Sequence, residues 1–133
     1  MRPLRLVVRI FCLLPLLTGS LDLVKGIPTL RQGGAVIPEG VAVDPALNSQ
    51  IGFWGAIWLG YGLTLWRASA DPRANAGLLR LQLGILFLSG VGGASAAVRF
   101  GLPGGPLRGA MVLELVGAPL LLLCHRVLLG RAD

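Results

Sequence analysis

The sequence predicts an all-α protein: a four-helix transmembrane bundle with short cytoplasmic termini and one longer outer loop. Three observations predict it. Hydrophobic residues make up 54% of the 133-residue chain, and its mean hydropathy is +0.76. Charged residues are only 14%, against about 25% in an average soluble domain, too few to cover the surface such a chain leaves in water. Four apolar segments also approach the roughly 20 residues a helix needs to cross the hydrocarbon core. These observations exclude a soluble enzyme, a disordered tail and a nucleic-acid-binding domain. What remains is a single integral membrane domain over residues 1–133, with the lipid bilayer as its first partner.

The spans fall at about residues 6–24, 51–66, 78–98 and 107–129. Asp44-Pro45 and Asp71-Pro72 each put a capping carboxylate before a proline at the first helical position, where the missing N–H does no harm. Gly105-Pro106 is a weaker version of the same signal. Helices two, three and four are therefore expected to begin near residues 45, 72 and 106. Residues 25–50 form the only long connection, and a Gly-Gly turn within Thr29–Ile37 suggests a small hairpin. Pro15 and Pro119 each remove one backbone hydrogen bond and should bend the first and fourth helices. The first span also has the outline of a cleavable signal peptide, a basic start and apolar core ending in Thr18, Gly19 and Ser20. Cleavage would leave three spans in the same orientation.

Net charge is +6, yet the basic residues are scattered and lack interleaved aromatics for base stacking. They report topology instead. One side collects Arg2, Arg5, Arg9, Arg67, Arg73, Arg80, Arg126 and Arg131, and the other Lys25, Arg31, Arg99 and Arg108. Positive-inside places both termini in the cytoplasm and residues 25–50 outside. The Ala, Gly, Leu and Arg richness fits a high-GC bacterial coding bias.

Helices in lipid associate through close contact of small residues. Gly52, Ala56 and Gly60 form one such stripe, and Ser89, Gly93 and Ala97 another. The expected use is a tight contact between helices two and three. The same stripes would serve self-association or a membrane partner. Trp54, Trp58, Tyr61 and Leu65 take the opposite face of helix two, turned to lipid or to another helix.

Ionisable groups inside spans are costly and usually face the bundle interior. Glu114 is the clearest, about 12 Å along its helix from Pro106 at 1.5 Å per residue. Asp22, Gln50 and Arg99 come from the other three helices at similar depth, so the four could form one polar cluster. One reading is a structural ion pair of Arg99 with Glu114 or Asp22. Another is a ligand or proton site at Glu114, and a third is a side chain snorkelling to the interface. His125, about 16 Å from Glu114, is expected at a lipid headgroup. Cys12 and Cys124 read as small apolar packers. No CxxC, metal spacing or catalytic constellation is present, so no cofactor, metal or catalytic residue is expected. The function expected is a structural or accessory membrane component rather than an enzyme. The alternative is a small-molecule or proton-coupled transporter or binding protein that uses the intramembrane carboxylate.

The run Asp44–Trp66 (DPALNSQIGFWGAIWLGYGLTLW), the helix LLRLQLGILFLSGVGGASAAVRFGLP and the segment ELVGAPLLLL (Glu114–Leu123) together resemble the bacterial membrane family of domain of unknown function 4345. The most specific element is Asn48-Ser49-Gln50 directly before an aromatic, glycine-rich helix. The resemblance covers nearly the whole chain and implies a four-helix inner-membrane protein without an established activity. Family members often carry a charged residue around positions 50–52, where this chain has Gln50, Ile51 and Gly52. The chain is also loosely similar to DoxX-like four-helix membrane proteins.

Overall fold

The computed structural model describes residues 2–130. Arg131, counted above for topology, lies outside them. In order come α1 (Arg2–Lys25), α2 (Pro28–Gln32), α3 (Glu39–Ala42), α4 (Pro45–Ala68), α5 (Ala76–Phe100), α6 (Gly105–Val112), a π-helical turn (Leu113–Gly117) and α7 (Ala118–Gly130). There is no strand among the described residues. Three rods are long and apolar enough to cross a membrane: α1, α5, and the continuous Gly105–Leu129. At 24 residues α4 is as long as α1. It carries Asn48-Ser49-Gln50 in its first turns, ahead of a run rich in glycine and tryptophan.

Two of the three expected helix starts hold. Asp44 accepts the Leu47 N–H at 2.8 Å ahead of Pro45, and α6 opens at Gly105 with Pro106 beside it. The third is corrected. Asp71 accepts the N–H groups of Arg73 and Ala74, each at 3.0 Å, and its carbonyl accepts that of Asn75 at 2.9 Å. These bonds close a compact turn, and α5 starts only at Ala76.

The hairpin expected within Thr29–Ile37 is also corrected. Pro28 presets the backbone for a helical turn, so Pro28–Gln32 coils as α2. Gly33 and Gly34 then pack against Gly104 in the α5–α6 connection, which leaves no strand pair. Gly26 adopts a φ of +65° just after α1, with the Asn48 side chain where a Cβ would stand, so both shape and space call for glycine. Asn48 accepts the Ile27 N–H at 3.0 Å and donates to the carbonyls of Ala42 and Asp44. It ties the 25–50 connection to α4.

One core holds the rods together at the arginine-rich end. Leu4, Val8 and Cys12 of α1 meet Leu65 and Ala68 of α4, Leu79 and Leu83 of α5, and Ala118 and Leu121 of α7. Tyr61 donates to the Gln82 carbonyl at 2.7 Å, and the Gln82 amide donates to Thr64 at 2.9 Å, so α4 and α5 are joined by hydrogen bonds there. Trp58 stacks on Tyr61 at 5.0 Å and donates to Thr18 at 2.8 Å. Trp58, Tyr61 and Leu65 on that face of α4 therefore meet other helices, while Trp54 stays exposed.

The close helix contact is not the expected one. Helix α4 lies along α1, and the backbones meet at Gly19, Gly55 and Gly62. A Cβ at Gly55 would stand 2.5 Å from the Leu23 nitrogen, and one at Gly19 2.6 Å from the Leu59 nitrogen. Gly60 of the expected stripe has open space where its Cβ would be, Ala56 is exposed, and Gly52 only grazes Leu23. On α5, Ser89 is exposed, while Gly93 packs on Met111 and Gly90 on the π-helical turn. The two stripes thus do not join α4 to α5. Gly19 of α1 and the Gly55–Gly62 face of α4 supply the close approach instead.

Candidate functional site

Away from the core end, the rods hold one another in pairs, α1 with α4 and α5 with the α6–α7 rod, and two cavities open beside α6, one toward α1 and α2 and one toward α5. Glu114 sits in the π-helical turn. There the Ala118 N–H reaches back five residues to the Leu113 carbonyl, one more than in an α-helix. Pro119 follows at once. A proline ring presses on the carbonyl four residues earlier, here that of Leu115, and a widened turn relieves that contact. The expected bend at Pro119 is thus met by an extra residue in the turn before it. In α1 the helix runs unbroken through Pro15, which is buried.

The wide turn seats Glu114 against α5. A Cβ at Gly90 would lie 2.9 Å from the Glu114 Cβ and 3.0 Å from the Leu115 nitrogen, so only glycine lets the α5 backbone come this close. The half-buried Glu114 then lines a cavity of about 300 Å³. Gly93, Ala96, Ala97, Phe100 and Met111 supply apolar walls, and Pro103 and Leu107 lie toward the α5–α6 connection. Ala97, expected at a helix contact, is thus part of this wall. The volume matches the lower end of small-molecule sites, roughly 300–1,000 Å³.

Asp22 occupies a neighbouring cavity of about 270 Å³ with Leu14, Thr18, Thr29 and Gln32. The two cavities share Leu107 and Ala110 as a common wall. The Thr29 hydroxyl lies against both the Asp22 carboxylate and the Gly26 carbonyl, so Asp22 is occupied locally.

The expected four-residue cluster does not assemble. Arg99 is exposed and turns back to Ser95, donating to its carbonyl and hydroxyl at 3.3 Å each. Neither Glu114 nor Asp22 has Arg99 as a partner among the described residues. Gln50 is exposed on α4, and its neighbour Asn48 makes the buried contacts instead. His125 is corrected too. It is fully buried, and its Nε2 is 2.8 Å from the Pro72 carbonyl in the α4–α5 turn. The tie replaces the expected headgroup contact, because α7 packs across the turn rather than past it. Among the described residues no group of three metal-ligating side chains gathers.

Sequence reasoning found Glu114 and Asp22 but missed the π-helical turn and the neighbouring cavities. The proline five residues after an acid was a signal for a disturbed helix, though not for its sense. No curated protein and no solved structure matches the chain, and nothing in the comparisons extends the looser likeness to DoxX-like proteins. One family profile, described as a domain of unknown function (DUF4345), matches residues 3–125. That span takes in α1 through most of α7, including both carboxylates and both cavities, and the chain belongs to the DUF4345 family.

Proposed function

We propose that this chain is a four-pass protein of the bacterial inner membrane, with both termini in the cytoplasm, that binds a small, largely apolar ligand through Glu114. The single observation that carries the binding reading is the carboxyl of Glu114 lining an apolar cavity of about 300 Å³ with no arginine beside it. Arg99, the ion-pair partner the sequence offered, turns to Ser95 instead. Support for four passes comes from α4 lying along α1 at equal length. Support for the orientation comes from the arginine excess on one side. The ligand chemistry that fits is an apolar body with a basic or hydrogen-bond-donating head, exchanging against a proton on the carboxyl.

A membrane-permeant carbodiimide tests this, because it modifies protonated carboxyls in apolar surroundings. Mass spectrometry should locate the adduct at Glu114, and benzylamine, small enough for the cavity, should protect against it. Glu114→Gln should stay folded and lose both adduct and benzylamine binding. Benzylamine without effect on the native chain, together with a Glu114→Gln protein of reduced stability, would favour the structural or accessory role instead.

A further inference from the structure

The arginine-rich end carries a second, different cavity. Arg2 and Arg5, one helical turn apart on α1, converge with Arg73 of the α4–α5 turn on a space of about 380 Å³ completed by Ala70, Asp71 and Pro72. All three arginines are exposed. The one carboxylate in the wall, Asp71, already accepts the Arg73 and Ala74 N–H groups. The wall is held in place. Buried His125 fastens Pro72 to α7, and Asn75 bonds back to Asp71 through its own N–H and side-chain amide. Topology alone asks only that arginines lie on this side, and Arg67, Arg80 and Arg126 satisfy it without lining the cavity. That three others line one hollow beside a hydrogen-bonded turn is a separate observation.

We infer that this cavity is a phosphate-group site. Guanidinium forks match the paired oxygens of a phosphate, and three arginines against one occupied carboxylate leave a cationic hollow. Arg9 lies 4.7 Å over the Trp66 ring at the same end, and a tryptophan at a helix end marks headgroup depth. The phosphate can belong to an anionic phospholipid headgroup in the arginine-side leaflet or to free phosphate; the chemistry recognised is the same. The inference rests on the reading that the long helices cross the bilayer.

The test uses the full chain in neutral detergent, titrated separately with short-chain phosphatidylglycerol, short-chain phosphatidylcholine and inorganic phosphate, with binding followed by thermal shift. Arg5→Gln with Arg73→Gln should weaken binding about tenfold or more, as expected when two charge-assisted hydrogen bonds are lost. Arg31→Gln with Arg108→Gln, at the other end, should leave it unchanged. A saturable response to phosphatidylglycerol supports a lipid source, and a response to inorganic phosphate supports a soluble one. Titrations identical in native and Arg5/Arg73 proteins, or phosphatidylcholine binding as well as phosphatidylglycerol, would overturn the site. Arg73→Gln alone, a change at an exposed turn, repeats the test if the double variant misfolds. Carbonate extraction separates the two readings: release from membranes sinks the bilayer reading, whereas a retained protein with unaltered titrations sinks the phosphate site.

Discussion

The two ends of the bundle are built differently. At the arginine-rich end, α1, α4, α5 and α7 all contribute side chains to one core, and polar groups inside it, Tyr61, Gln82 and His125, bond to partners on other elements. At the other end the rods hold only in pairs. There glycine contacts bring α1 to α4 and α5 to the π-helical turn; the Asp22 cavity opens between α1, α2 and α6, and the Glu114 cavity between α5 and α6. The packed core and the candidate site therefore lie toward opposite ends of the bundle. Regions with fewer buried contacts open at lower free energy, so the cavity end is the one that can admit a ligand without disturbing the rest.

The contrast breaks most severely through the glycine seam that the cavity end depends on. Gly55→Val should cost about 3 kcal/mol or more, because its Cβ alone would meet the Leu23 backbone; detergent unfolding curves would show it. Next comes the core. Leu83→Ala should cost roughly 2–5 kcal/mol, whereas Leu107→Ala, in the wall shared by the cavities, should cost less than about 1 kcal/mol. Equal losses in the two proteins would refute the division into a packed end and an open end. Asn48→Ala removes the side chain that ties the 25–50 connection down and should cost about 1–3 kcal/mol. Limited proteolysis should then cut between Gly26 and Asp44 faster than in the native chain. The smallest effect is expected at Gly60→Ala, within about 0.5 kcal/mol, since open space lies where the new methyl would go. A large loss there would mean that this face meets another copy or a partner.

Much of this was legible in the sequence, and the limits have physical causes. The helical class, the family and the Asp44 cap could all be read from hydropathy and local chemistry. The second cap at Asp71 could not, because the same Asp-Pro pair stabilises either a helix start or a closed turn. In the structure the turn form occurs, with His125, 53 residues away in sequence, bonding the Pro72 carbonyl. Small-residue stripes showed that close contacts exist but not which helices make them. Helix α4 carries glycines on two faces, and the one that packs, Gly55 and Gly62, meets α1 beside Gly19. At the candidate site, Glu114 stood out as an acid within a span. Its failure to pair with Arg99 was hidden, since Ser95, one turn earlier on the same helix, offered that arginine a nearer partner.

The π-helical turn makes chain length, rather than residue type, the control on what faces the cavity. Removing a single residue between Leu113 and Gly117 would restore α-helical pitch and rotate α6 by about 100° relative to α7. Ala118, Leu121 and His125 would keep their seats in the core. Met111, Ala110 and Glu114 would swing away from their present walls, and the residues beside them in sequence would take their places. One-residue insertions and deletions at this point would thus change what lines the cavity while the packed end stays unchanged.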